Sequence, residues 1–298
     1  MYRAKAGGKG RVWRLDAAAR AAHGDRATLV ARLRGAVEAG RVTLHYQPKI
    51  DLRTGGTVGF EALARWNDDA LGVVPPSVFV PVAEANGLIF VLGRQLLLRA
   101  CIAARTWLED GHSWMVAVNV SPIQLERTDI VEDVGRALAE SGLPAARLQL
   151  EITESAAIKD LPSTARTLHD IRALGVRLAL DDFGTGYSSL SLLRELPLDE
   201  LKIDRSFVQR VDSDRADSRL VALAVAAAHE YGLVAVAEGV ERVEQLETLA
   251  DLGCDQVQGF LLGRPAVDAH PGSAARRPHL RAVLPGVRRS PDELAGHA

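Results

Sequence analysis

Seven short apolar runs in this chain each carry a residue that an apolar run should not contain. Glu61 sits in GFEALAR, Asn119 ends VAVN, and Glu151 interrupts LQLEIT. Asp181 and Asp182 end VRLALDD, Lys202 lies between Leu201 and Ile203, Glu238 ends VAVAE, and Gln258 ends DQVQ. Charges and amides inside buried β-structure are costly unless something pairs or uses them. Carboxylates and an amide are oxygen ligands for hard cations such as Mg²⁺ or Mn²⁺. No His or Cys joins the set, which argues against zinc. Adjacent Asp181 and Asp182 would repel in one site unless cations lay between them. One bridging and several terminal carboxylates suit two metal ions about 3.5–4 Å apart, an arrangement that activates water for phosphate-ester hydrolysis.

Each residue taken alone has a plainer reading. A single Glu in a strand can face solvent at a sheet edge. Asp181-Asp182 before FGTG can be turn chemistry. Lys202 can run its stem along apolar surface and end in water, and Gln258 can be a hydrogen-bonded rim residue. The coincidence across seven strands carries the functional reading.

Eight β-rich runs must position these residues: Val42 to Ile50, Thr57 to Trp66, Met115 to Val120, Leu148 to Thr153, Val176 to Phe183, Glu200 to Asp204, Leu233 to Val240 and Cys254 to Phe260. The first two are joined by DLRTGG, a turn without a helix, so they form an antiparallel hairpin. Helical patterns fill the later gaps: Leu88 to Glu109, Asp129 to Ser141, Asp160 to Leu174, Asp214 to Tyr231 and Glu241 to Leu252. Gly175, Gly232 and Gly253 each stand where a helix should stop before a strand. Eight strands alternating with helices predict an α/β fold, a (β/α)8 TIM-like barrel with an antiparallel first strand. An open doubly wound sheet is disfavoured because no GxGxxG turn follows an early strand. The polar exceptions all fall late in their strands, so the barrel gathers them at one mouth.

Residues 1–16 are Lys/Arg/Gly-rich and stand apart. Residues 17–40 read as a linking helix, with Asp16 as its N-cap and Gly40 as its stop. The barrel covers 41–268, and the chain from about Ala266 onward is rich in Pro, Arg, Ala and Gly, so the tail 269–298 reads as largely disordered. Net charge is −2, with 47% hydrophobic and 25% charged residues. Bulk charge therefore favours neither a DNA or RNA polymer nor a membrane surface as partner. The two cysteines, Cys101 and Cys254, are too few for a disulfide scaffold and read as small buried residues of a reducing, cytoplasmic protein. No signal-peptide pattern and no membrane-length apolar run is present.

The stretch from Leu29 to about Pro265 resembles the EAL domain. The residues that carry the resemblance are Glu61-Ala62-Leu63 with Arg65-Trp66, YQP at 46–48, AEANGLI at 83–89, VNVSP at 118–122 and LEITES at 150–155. They continue with LDDFGTGYSSL at 180–190, LKIDRSFV at 201–208, AEGVE at 237–241 and QGFLLGRP at 258–265. The chain departs from that pattern at Asn67 to Val74, where a His-Pro turn is usual and a surface loop is expected here. It also has Phe260 where Tyr is common.

The resemblance implies a cyclic di-GMP phosphodiesterase that opens the ring to linear pGpG with two Mg²⁺ or Mn²⁺ ions. It implies that Glu61, Asn119, Glu151, Asp181, Asp182 and Glu238 hold the metals. Lys202 would orient or activate the metal-bound water and stabilise charge, and Glu238 and Glu61 would share the catalytic work. Gln47, Leu63, Arg65, Asp182 and Gln258 would contact the ligand. Glu154 would pin the loop Phe183 to Leu190, whose Thr185, Ser188 and Ser189 can cap it and which couples site to dimer in this family. A homodimer is the partner so implied. The alternative is a catalytically silent cyclic di-GMP receptor or interaction module. MYRAKAGGKGRV at the start resembles the end of a GGDEF domain, which implies an upstream cyclase or sensor module in a longer protein.

Overall fold

A computed structural model describes residues 17–127, 129–184 and 190–267. The segments read as a GGDEF-like start (1–16, with the Asp16 cap) and a tail (269–298) lie outside the described residues, as do Thr185, Ser188 and Ser189.

Nine strands form one sheet: β1 (Thr43–Asp51), β2 (Thr57–Asp68), β3 (Gly72–Val74), β4 (Met115–Asn119), β5 (Leu148–Thr153), β6 (Arg177–Phe183), β7 (Glu200–Ile203), β8 (Val234–Ala237) and β9 (Gln256–Gln258). Eight close into a ring in the order β2, β4, β5, β6, β7, β8, β9, β1, and β1 returns to pair with β2. β1 runs antiparallel to both neighbours, with Gln47 opposite Glu61 and Lys49 opposite Gln258. The remaining ring pairings are parallel. The expected (β/α)8 barrel with an antiparallel first strand is therefore the fold.

Period two sorts each strand's residues between barrel interior and helix layer. On β5, Leu148, Leu150 and Ile152 are buried in the apolar core shared with the helices, while Gln149 and Glu151 are buried polar residues of the opposite face. Each such apolar side chain contributes about 1.5–3 kcal/mol relative to exposure. The outward apolar rows hold the barrel closed, which leaves the inward rows free to be polar.

The expected surface loop at Asn67 to Val74 is structured instead. Asn67 and Asp68 extend β2, and β3 folds back on it, with Trp66 opposite Val74. Asp68 makes this turn, because its Oδ1 accepts from Ala70 N at 2.9 Å and Leu71 N at 3.1 Å. Such an Asx turn hides in a loop-like composition. Helix Leu88–Glu109 matches its expected bounds, and the other long helices match within two residues. Further helices, at Pro76–Ala85, Pro122–Leu125, Glu154–Lys159, Leu190–Glu195 and Arg205–Val208, were not foreseen. Four of them are too short to show a helical period. Ala266, near the end of the described residues, pairs with Tyr46 of β1 in both directions, at 2.7 and 3.1 Å.

Candidate active site

Alternate strands around the ring deliver matched sets of four at the mouth. β2, β5, β7 and β9 bring Glu61, Glu151, Lys202 and Gln258; β4, β6 and β1 bring Asn119, Asp181 and Gln47, and Glu238 follows the end of β8. Layers of four from alternate strands are the packing rule of such barrels, but their members are usually bulky and apolar. Here both layers are polar.

Lys202 is the hub, fully buried. Its Nζ lies 2.6 Å from Glu151 Oε2, 2.6 Å from Glu238 Oε1, 3.2 Å from Asp181 Oδ1 and 3.9 Å from Glu61 Oε2. Burial would lower its pKa, but Asp181, Glu151, Glu238 and Glu61 outweigh that and hold the ammonium well above its ordinary value. Burial pushes the Glu238 carboxyl up to about 8, with Lys202 opposing only in part. Burial likewise raises Glu151 well above the usual carboxylate range. Glu61 goes the other way. Burial would raise it, but Lys202 and hydrogen bonds from Gln258 and Asn119 together hold it below its ordinary value. Those bonds run from Gln258 Nε2 to Glu61 Oε2 at 2.5 Å and from Asn119 Nδ2 to Glu61 Oε1 at 2.7 Å.

Asp182 joins Asp181 through a break in strand geometry. β6 sets Leu180 opposite Leu201 and then Phe183 opposite Ile203, so β6 carries one residue more than β7 across this interval. Asp182 has φ +56, the one left-handed non-glycine among the described residues. Asp tolerates this conformation better than most residues, and such backbone costs about 1–3 kcal/mol. The result is that carboxylate oxygens of Asp181, Asp182 and Glu238 lie within 4.8 Å of one another. Burial, and after it the Asp181 carboxylate, raises the Asp182 pKa. Glu61 and Glu151 fall outside this trio and are tied to it through Lys202.

The donor chemistry fits divalent cations. Every candidate ligand is an oxygen donor, and Glu151 Oε1 is a buried oxygen that accepts no hydrogen bond. Asn119 is exposed at the end of β4, with its Nδ2 turned to Glu61.

Beside the trio opens a cavity of about 490 Å³, lined by Gln47, Glu61, Leu63, Arg65, Glu238 and Gln258 among others. That is within the range of small-molecule sites. Gln47 Nε2 donates to Gly263 O at 3.0 Å, and Gln258 Nε2 lies 3.3 Å from Gln47 Oε1. Arg65 is half-buried and donates to Ala64 O at 2.9 Å. Among the lining residues that escaped the sequence reading are two arginines: Arg264, whose guanidinium sits 4.3 Å from the Phe260 ring centre, and Arg205. Glu154 Oε2 accepts from Gly184 N at 3.1 Å, at the start of the loop it was expected to pin.

A model of the EAL domain matches residues 30–265. The bifunctional diguanylate cyclase/cyclic di-GMP phosphodiesterase MucR of Pseudomonas aeruginosa is 42% identical over 266 residues, 89% of this chain but 39% of MucR. The cyclic di-GMP phosphodiesterase NbdA of the same organism is 43% identical over 78% of this chain and 30% of its own length. The chain thus spans less than half of these relatives. Among solved structures, the MucR phosphodiesterase in complex with c-di-GMP superimposes with a TM-score of 0.77 at 44% identity, covering 80% of this chain and 97% of that one. The EAL domain of Mycobacterium smegmatis DcpA gives 0.64 at 41% identity, over 76% and 92%. With its barrel, its ring of mouth residues and this likeness across most of its length, the chain belongs to the EAL domain family.

Proposed function

We propose that this chain is a cyclic di-GMP phosphodiesterase that hydrolyses one phosphodiester of the ring to give linear pGpG. The observation that carries the reading is the charge of the mouth. Five carboxylates (Glu61, Glu151, Asp181, Asp182 and Glu238) face one ammonium, Lys202. With all five ionised the surplus is four negative charges, which two divalent cations neutralise; without cations, burial holds Glu238 and Glu151 toward the protonated form. Glu61, Asn119, Glu151, Asp181, Asp182 and Glu238 are the residues we assign to hold them. When bound, a pair of Mg²⁺ or Mn²⁺ ions supplies Lewis acidity to the phosphodiester and lowers the pKa of water.

The chain's own groups divide the remaining work. Lys202, whose ammonium the surrounding carboxylates favour, is placed to donate hydrogen bonds to the attacking water and to developing negative charge. Glu238 lines the cavity 2.6 Å from Lys202 Nζ, where its carboxylate is placed to take the proton of an attacking water. Arg65 offers a planar fork to a phosphate oxygen. Gln47, Leu63 and Gln258 line the same cavity and orient the dinucleotide. Glu154 holds the backbone where the loop after β6 begins.

The same proposal includes a second copy of the chain as partner. Leu220 and Leu223 are exposed on helix Arg215–Glu230, beside Phe183, Gly184 and Phe207, and form an apolar face next to the site. No described helix is long and apolar enough to cross a membrane, and we place the reaction in the cytoplasm. MucR's name includes a cyclase activity, and an upstream cyclase module is the expectation here too.

The experiment that separates enzyme from receptor is incubation with cyclic di-GMP and Mg²⁺ followed by chromatography. Linear pGpG supports hydrolysis. Intact cyclic di-GMP retained by the protein would support the receptor.

A further inference from the structure

Below the mouth, the barrel interior holds a second charged set. One inward step from Gln47, Glu151 and Lys202 leads to Lys49, Gln149 and Glu200. Lys49 Nζ donates to Glu200 Oε1 at 2.5 Å and to Gln149 Oε1 at 3.3 Å. It lies 3.9 Å from Glu151 Oε1. Lys49 is 1% exposed, and Gln149 and Glu200 are as deeply buried.

Packing alone does not call for a lysine here. The same parity that turns Asn119, Asp181 and Glu238 inward turns Ala117, Ala179 and Val236 inward one step below them. All three are buried and small. The Lys49 stem fills the space their short side chains leave, and a methionine of similar length would fill it without a buried charge. The charge matters because of where the stem ends. Glu151 Oε2 is bound by Lys202 from the mouth side. Its Oε1 accepts no hydrogen bond and has Lys49 below it. Glu151 thus stands between two ammonium groups, and Glu200 is the fixed counter-charge of the lower one.

We infer that Lys49 is a positioning residue for the hydrolytic reaction, holding the Glu151 carboxylate in the orientation that presents it to the cations. The inference rests on the cation-dependent reading above. Lys49 does not line the ligand cavity, and it acts through Glu151. Supports that hold a metal ligand in this way typically change metal affinity or activity by about 10–100-fold when removed.

The test is the double variant Lys49→Met/Glu200→Leu, which removes one charge of each sign and replaces the pair with apolar bulk. Calorimetric Mg²⁺ titration of the full chain is expected to show binding weakened by about 10–100-fold. The kcat should fall by a similar factor, with KM for cyclic di-GMP within about twofold, because the ligand cavity is untouched. A double variant with wild-type Mg²⁺ affinity and wild-type kcat overturns the inference. A measurement on the wild-type chain stands beside it should the variant not fold. The Lys49 ammonium NMR signal is expected to move on Mg²⁺ titration, and a signal unmoved at saturating Mg²⁺ overturns the inference as well. Wild-type protein that neither binds Mg²⁺ nor cleaves cyclic di-GMP would instead remove the hydrolase reading, and the inference with it.

Discussion

Lys202 and Glu151 meet nitrogen to oxygen at 2.6 Å, and neither side chain reaches solvent. A buried pair of this kind adds little to stability over an apolar one, but breaking it by removing one partner is expensive. The barrel carries it at the centre of a set whose other members are also acidic. The relationship makes sense if the ammonium serves a reaction at the mouth.

Replacing Lys202 with Met should therefore affect two quantities. Hydrolysis is expected to fall by at least about a hundredfold, the cost of losing one preorganised donor to developing charge. The cation-free protein should also lose about 3–5 kcal/mol, because four carboxylates lose their common partner. Steady-state kinetics and denaturant unfolding check the two effects independently.

Glu61→Ala is expected to remove most activity. It also takes from Asn119 and Gln258 the charged acceptor they share, a loss of about 1.5–3 kcal/mol for a hydrogen bond to a charged group. Near-normal turnover in this variant would withdraw Glu61 from the site.

Glu238 sets a pH dependence whose sign follows from its raised pKa. The folded protein keeps this proton up to about 8, whereas an unfolded chain loses it near 4.3. Folding then binds the extra proton, so the stability contribution is complete below the unfolded value and is lost as pH rises through about 8. The melting temperature of cation-free protein should fall across that window, and Glu238→Gln should flatten the fall. Mg²⁺ competes with the same proton, so binding should release protons and tighten with pH. Calorimetry in buffers of different ionisation enthalpy measures that release.

Gly259 tests how the cavity wall is built. A Cβ there would lie 2.1 Å from Val240 O and 2.3 Å from Val240 N, atoms of a backbone that cannot step aside. Gly259→Ala should cost about 1–3 kcal/mol in thermal unfolding. It should also raise KM, because Gln258 and Phe260 flank the displaced residue.

The barrel was legible because each strand's apolar row faces helices and each long helix ends at a glycine. The mouth was legible because its polar residues interrupt apolar runs late in strands. What escaped had weaker signals. Lys49 and Glu200 also interrupt buried strands, but Lys49 falls near the end of the antiparallel β1 and Glu200 begins β7, where a charge reads as a strand end meeting solvent. Asp204 was assigned to β7, yet its Oδ1 accepts from Ser206 N at 2.9 Å and starts a helix of four residues. Asp182 is expected to share a site with Asp181 at the strand end, which requires the chain to turn there. That the turn needs an inserted residue and a left-handed backbone is a property of pairing with β7, which no single run of sequence displays.

The central claim is that the mouth residues form a cation-dependent hydrolytic centre. It is tested most directly by the initial rate of pGpG formation from cyclic di-GMP as Mg²⁺ or Mn²⁺ is titrated into chelator-treated protein. The account predicts no product in chelator and a rate that rises with cation and saturates. Full-rate hydrolysis in chelator, or no hydrolysis at any cation concentration, would contradict it.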